Sequence, residues 1–129
     1  MTDAELEKRY RAYLTVLNRR RFDDLDQFVH DALTYHDKPK TRRQYTDMIA
    51  GDVAASPDLV FDVGMLVVGD QVACRLMVNC TPEHEFLGYP PSGKRIAFTE
   101  HVCYRFRDGR IATVQSLIDR EAIEQHLAN

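Results

Sequence analysis

The chain has 129 residues, 17 basic against 20 acidic, a formal charge of -3, and three cysteines. That length suits one domain, read here as residues 1–129, with room for a single core and a pocket. No basic run addresses nucleic acid, no stretch nears the roughly 20 apolar residues of a membrane span, and the start Met1-Thr2-Asp3-Ala4-Glu5 is acidic and polar. Neither nucleic acid nor membrane is therefore an expected partner, and a cytoplasmic location is expected. Cys74, Cys80 and Cys103 are odd in number and form no C-x-x-C, so all three are read as packing residues.

In chain order, Leu6, Tyr10, Tyr13, Leu14 and Leu17 recur at helical spacing behind Thr2 or Asp3 as a cap, predicting a helix over the first 20 or so residues. Phe22, Leu25, Phe28 and Val29 predict a second, shorter one. Leu33 to His36 reads as a brief strand, and Thr41 to about Ala54 as a third helix that stops before Pro57. Strands follow: Leu59 to Val68, a Gly69-Asp70 turn, Gln71 to Thr81, a Pro/Gly loop, Arg95 to Phe106, an Asp108-Gly109 turn and Arg110 to Ile118. A last helix runs from Arg120 to about Leu127. Helices first and antiparallel strands after them indicate an α+β domain, a curved antiparallel sheet wrapped on its N-terminal helices.

Asp-Gly between two strand runs is a strong hairpin signal, and a two-residue turn there pairs Arg107 with Arg110. Counting outward in even pairs sets Phe106 against Ile111, Tyr104 against Thr113, Val102 against Gln115, Glu100 against Leu117 and Phe98 against Asp119, all on one face. Assigned to the interior, that face carries a polar set, Glu100, Gln115 and Asp119, among aromatic residues. Glu100 and Asp119 become diagonal neighbours about 7–8 Å apart at the backbone. Two partly desolvated carboxyl groups that close would raise one pKa towards neutrality, as general acid–base work requires. The other face carries His101, Cys103, Ala112, Val114 and Ile118 and is assigned to a dimer contact.

Other readings of these residues stand beside this one. Asp119 precedes the last helix and suits an N-cap. Glu100 could pair with Arg75, Lys94 or Arg95 at the sheet edge. A single bulge would put His101 in the pocket in place of Glu100. His36 and His84 lie near strand or loop ends. The chain lacks G-x-S-x-G, H-E-x-x-H, the phosphate-cradling G-x-x-x-x-G-K and G-x-G-x-x-G, leaving cofactor-free chemistry or simple binding.

Phe22-Asp23-Asp24-Leu25, Tyr35-His36-Asp37, Pro57-Asp58-Leu59, Glu85-Phe86-Leu87-Gly88, Pro91-Ser92-Gly93-Lys94-Arg95, Tyr104-Arg105-Phe106 and Asp108-Gly109-Arg110-Ile111 stand in an order that resembles the SnoaL-like polyketide cyclases and predicted ester cyclases of the nuclear-transport-factor-like superfamily. The resemblance spans nearly the whole chain. It implies a cone-shaped α+β barrel around a deep apolar pocket, often dimerised through the outer sheet face. It also implies an acid–base carboxylate without metal or cofactor, here Glu100 or Asp119, with Gln115, a histidine or Tyr104 donating to the developing enolate oxygen. Where relatives carry G-T-H this chain reads Cys80-Thr81-Pro82, and Gln115 stands where tryptophan is common.

The expected activity is a cyclase or isomerase acting on a small hydrophobic carbonyl compound. Catalytic candidates are Glu100 and Asp119, and substrate-binding candidates are Gln115, Tyr104, His84, His36 and His101. No metal or cofactor is expected. Alternatives are a pocket protein that only binds a small oxygenated molecule, and an epoxide hydrolase-like enzyme drawing on Arg75 or Arg105.

Overall fold

The computed structural model describes residues 1–128. Helix α1 spans Asp3–Asn18 behind a capping box, in which Thr2 Oγ1 accepts from Glu5 N at 3.1 Å and Thr2 N donates to Glu5 Oε2 at 3.0 Å. Two orphan amides are satisfied reciprocally, and Tyr10, Tyr13, Leu14 and Leu17 form the buried stripe at the expected spacing. The expected second helix is a short 3-10 segment, Phe22–Gln27. Strand β1 (Val29–Tyr35) and a strand that the sequence does not announce, β2 (Lys38–Thr41), are joined by His36 and Asp37 at φ 51° and 64°. That pair of left-handed residues suits a two-residue hairpin turn. Helix α2 (Arg42–Ala55) opens on a second capping box, Thr41 with Gln44, and ends before Pro57.

Strands β3 (Asp62–Val68), β4 (Val72–Cys80), β5 (Ile96–Arg107) and β6 (Arg110–Ile118) run close to the expected bounds, and α3 covers Arg120–Ala128. One six-stranded sheet results, in the order β2-β1-β6-β5-β4-β3. It is mixed rather than wholly antiparallel, because β1 runs parallel to β6. Strand β4 alternates strictly between buried and more exposed positions, the signature of a sheet with one face covered. The covered face packs on α1 and α2 around Tyr10, Tyr13, Leu17, Tyr45 and Tyr104. A second cluster, Val78, Phe86, Ile96, Phe98 and Ile123, seats α3 and the Pro/Gly loop on the other end of β4 and β5.

The register of the C-terminal hairpin corrects the even count. Arg107 faces Arg110 and Phe106 faces Ile111, but Arg105 faces Thr113, leaving Ala112 unpaired as a bulge. Beyond it Tyr104 faces Val114, Val102 faces Ser116 and Glu100 faces Ile118. The physical reason is hydrophobic. Ile111 and Val114 are three apart and both fully buried, which an unbroken strand of period two cannot achieve. The extra residue swings Val114, Ser116 and Ile118 inward and Thr113, Gln115 and Leu117 outward, while β5 keeps its parity.

Candidate active site

The concave face encloses a cavity of about 240 Å³. Helix α1 contributes Tyr13, Leu14 and Leu17, and α2 contributes Tyr45, Met48, Ile49 and Asp52. From the sheet come Tyr35, Leu76, Glu100, Val102, Tyr104, Val114, Ser116 and Ile118. Leu87, from the Pro/Gly loop, and Arg120, at the start of α3, close the rim. The lining is mainly apolar and aromatic with a few convergent polar groups, the usual composition of a small-molecule site.

Two carboxyl groups enter this cavity from different elements. Glu100 sits on β5 at an inward position of the alternation, and Ser116 Oγ donates to its Oε2 at 2.5 Å. Burial raises the Glu100 pKa above the ordinary carboxylate range, and the Ser116 hydrogen bond draws it partly back. Asp52 lies on the buried stripe of α2, seven residues after Tyr45 and three after Ile49 in the sequence. Burial, with a further contribution from the Glu100 charge, lifts its pKa to about 6. Ionisation of one acid therefore opposes ionisation of the other.

Phenolic groups surround the pair. Tyr13 and Tyr45 share a hydrogen bond at 2.6 Å between hydroxyls, and both are held neutral by burial. Tyr104 packs on Tyr13 with ring centroids 6.0 Å apart. Burial raises the Tyr35 pKa, and the charges of Glu100 and Asp52 raise it further, so its ring stands within the field of both acids. The arrangement offers one acid, Asp52, able to take and return a proton near neutrality, beside a second whose pKa is also raised and next to neutral O–H donors.

The other expected site residues scatter. Tyr104 lines the cavity as expected. Gln115 points outward past the bulge, where its Nε2 donates to Asp37 Oδ1 at 3.3 Å. Asp119 is exposed and accepts from Ala122 N at 3.1 Å, the N-cap geometry of α3, so it does not share the hollow with Glu100. His101 stands exposed on the convex face between Arg75 and Leu117, and the bulge that threatened to bring it inward falls on β6 instead. His84 is exposed in the Pro/Gly loop, with its backbone N–H on Ala55 O at 3.2 Å. His36 occupies the β1–β2 turn and lines a neighbouring outer hollow rather than this cavity. Arg75 and Arg105 also lie on the convex face, away from the cavity, so neither serves an epoxide hydrolase-like water cluster there or an ion pair with Glu100. Asp52 was missed, although an acid on an apolar helical stripe is the same signal that singled out Glu100 on its strand.

A bent sheet closed by helices around an acid-bearing apolar hollow defines the cone-shaped α+β class. The family model for SnoaL-like polyketide cyclases matches residues 7–127. A SnoaL-like polyketide cyclase from Agrobacterium tumefaciens superposes with a TM-score of 0.91 at 39% identity, over 98% of this chain and 99% of that one. The chain belongs to the SnoaL-like polyketide cyclase family. More distant structures share the fold: AclR from Streptomyces galilaeus, assigned as a hydroxylase, has a TM-score of 0.80 at 23% identity, over 98% of each chain. IdmH from Streptomyces antibioticus, assigned as a polyketide cyclase, has a TM-score of 0.82 at 23% identity, over 96% of this chain and 99% of that one. No curated protein matches the sequence.

Proposed function

We propose that this protein is an enzyme that moves a proton at the carbon next to a carbonyl group, using the paired acids Asp52 and Glu100, in a cyclisation or isomerisation of a small, largely apolar oxygenated compound. The observation that carries the reading is the meeting of those two carboxyl groups in one mostly apolar cavity, each with its pKa raised by burial. An ionised carboxylate takes the α-proton and becomes the acid. The electron pair moves onto the carbonyl oxygen, where a tyrosine hydroxyl from the Tyr13–Tyr45 pair donates a hydrogen bond to the growing charge. Attack of the enolate carbon on a second carbonyl, or its reprotonation, completes the turn, and the acid returns its proton. The chain itself supplies base and donors, so the scheme uses no cofactor.

The cavity also limits what reacts. At about 240 Å³ it falls below the roughly 300 Å³ at which pockets begin to enclose drug-sized ligands. One ring with its carbonyl groups fits within, and any larger remainder lies at the mouth. The test is exchange of α-protons for deuterium in an aryl methyl ketone, followed by NMR. Exchange above the buffer rate that disappears in Glu100→Gln and Asp52→Asn supports the reading, and exchange no faster than buffer overturns it in favour of a protein that only binds.

The protein is further proposed to act as a homodimer through its convex face. Val114 is 2% exposed and lines the cavity with Ile118, so neither supplies that contact as expected. The apolar groups there are Leu117, Val67, Met65 and Met77, exposed by 73, 55, 46 and 41%, with Cys103 among them rather than packed inside. An apolar face of this kind is a liability in water unless covered.

A further inference from the structure

We propose that the mouth of the cavity recognises an anionic group, so that the substrate carries a carboxylate at the end opposite its reacting carbonyl. The inference deepens the acid–base reading and rests on it for the inner half of the site.

A second hollow of about 370 Å³ lies between the β1–β2 turn, the end of β6 and the start of α3. Tyr35, Ser116, Ile118 and Arg120 line both spaces, so the outer hollow adjoins the inner cavity, and the proposed substrate spans the two. His36 and Leu117 complete the outer lining, and none of its six residues is acidic. Asp37, next to His36 in the turn, accepts from Gln115 and does not line the hollow. The Arg120 guanidinium uses one N–H on Leu87 O at 2.9 Å and lies 5.7 Å from the centre of the Tyr89 ring. It forms no ion pair among the described residues. A guanidinium carries five donors, so most remain for a ligand in a geometry that matches a carboxylate.

Charge is therefore graded along the site. Asp52 and Glu100 stand inside and repel an anion, while a fixed cation and the His36 imidazole stand at the opening. A molecule with a neutral carbonyl end and a carboxylate end is oriented by that gradient in one sense only, with its carbonyl towards the acids. Recognition and orientation then come from the same pair of opposed fields.

The probes are 4-oxo-4-phenylbutanoate and its primary amide, which differ in one charge, titrated calorimetrically into the protein at low salt. The acid is expected to bind at least about fivefold more tightly than the amide, a modest factor because Arg120 is open to solvent. In Arg120→Gln its affinity falls to that of the amide. Arg120→Lys, which keeps the charge, retains part of the preference. Equal binding of acid and amide by the unaltered protein, binding of neither, or a preference that survives Arg120→Gln overturns the proposal. Deuterium exchange next to the ketone is followed on the same two probes. Charge preference without exchange removes only the acid–base reading, and exchange without charge preference removes only this one.

Discussion

Ser116 on β6 donates its hydroxyl to Glu100 on β5 at 2.5 Å, a contact that the bulge at Ala112 makes available by turning Ser116 inward. The bond favours the ionised carboxylate, whereas burial favours the neutral acid, and burial is the larger effect. Ser116→Ala is therefore expected to raise the Glu100 pKa further. Carbon-detected NMR titration of the Glu100 carboxyl reads this directly, and an unchanged or lower midpoint would contradict the stated balance.

Removing either acid tests the chemistry. General acid–base groups contribute about 10²–10⁴-fold in rate. Glu100→Gln and Asp52→Asn should each slow α-proton exchange by at least about a hundredfold, with far-ultraviolet dichroism unchanged. Full activity in both variants would place the chemistry elsewhere.

Stability should respond to pH through the same residue. Asp52 titrates at about 6 when folded against a reference of 3.8, so the folded state favours its protonated form. Stability is then highest below the unfolded value and falls as pH rises towards 6, where the folded protein must also ionise a buried acid. The full difference corresponds to at most about 3 kcal/mol, and partial solvent access reduces it to roughly 1–2 kcal/mol. Asp52→Asn is expected to raise the melting temperature by several degrees at pH 7.5 and to show no gain near pH 4. A variant less stable than the parent at pH 7.5 would contradict this.

The convex face predicts assembly. Sedimentation at micromolar concentration should report a dimer, and Val67→Asp, which sets a charge at an exposed apolar position that lines neither hollow, should return monomers with the site intact. A parent protein that sediments as a monomer would rule the contact out.

Two departures from the sequence reading share one cause. Even counting from Asp108-Gly109 placed Glu100 inward correctly, because β5 is unbroken from Ile96 to Arg107. The same count failed on β6 beyond Ile111, and with it went Gln115 and Asp119. The warning was present in the spacing of Ile111 and Val114, two large apolar residues of opposite parity. Asp52 carries a signal of the same kind, three residues beyond Ile49 on α2, but nothing local to that helix says that it meets the hairpin's acid.

Local chemistry determined much of this protein in advance. Capping residues, apolar stripes of period 3.6, alternation of period two and a positive-φ turn at Asp108-Gly109 each act within a few residues, so helices α1, α2 and α3, strands β3 to β6 and the inward aim of Glu100 follow from the chain alone. Which second acid meets Glu100 was decided only when α2 packed against β1 and β2, bringing residues 52 and 100 into one desolvated space. That choice depends on long-range burial, where the need to cover Ile111 and Val114 together outweighed the regular ladder and chose which side chains of β6 face the cavity.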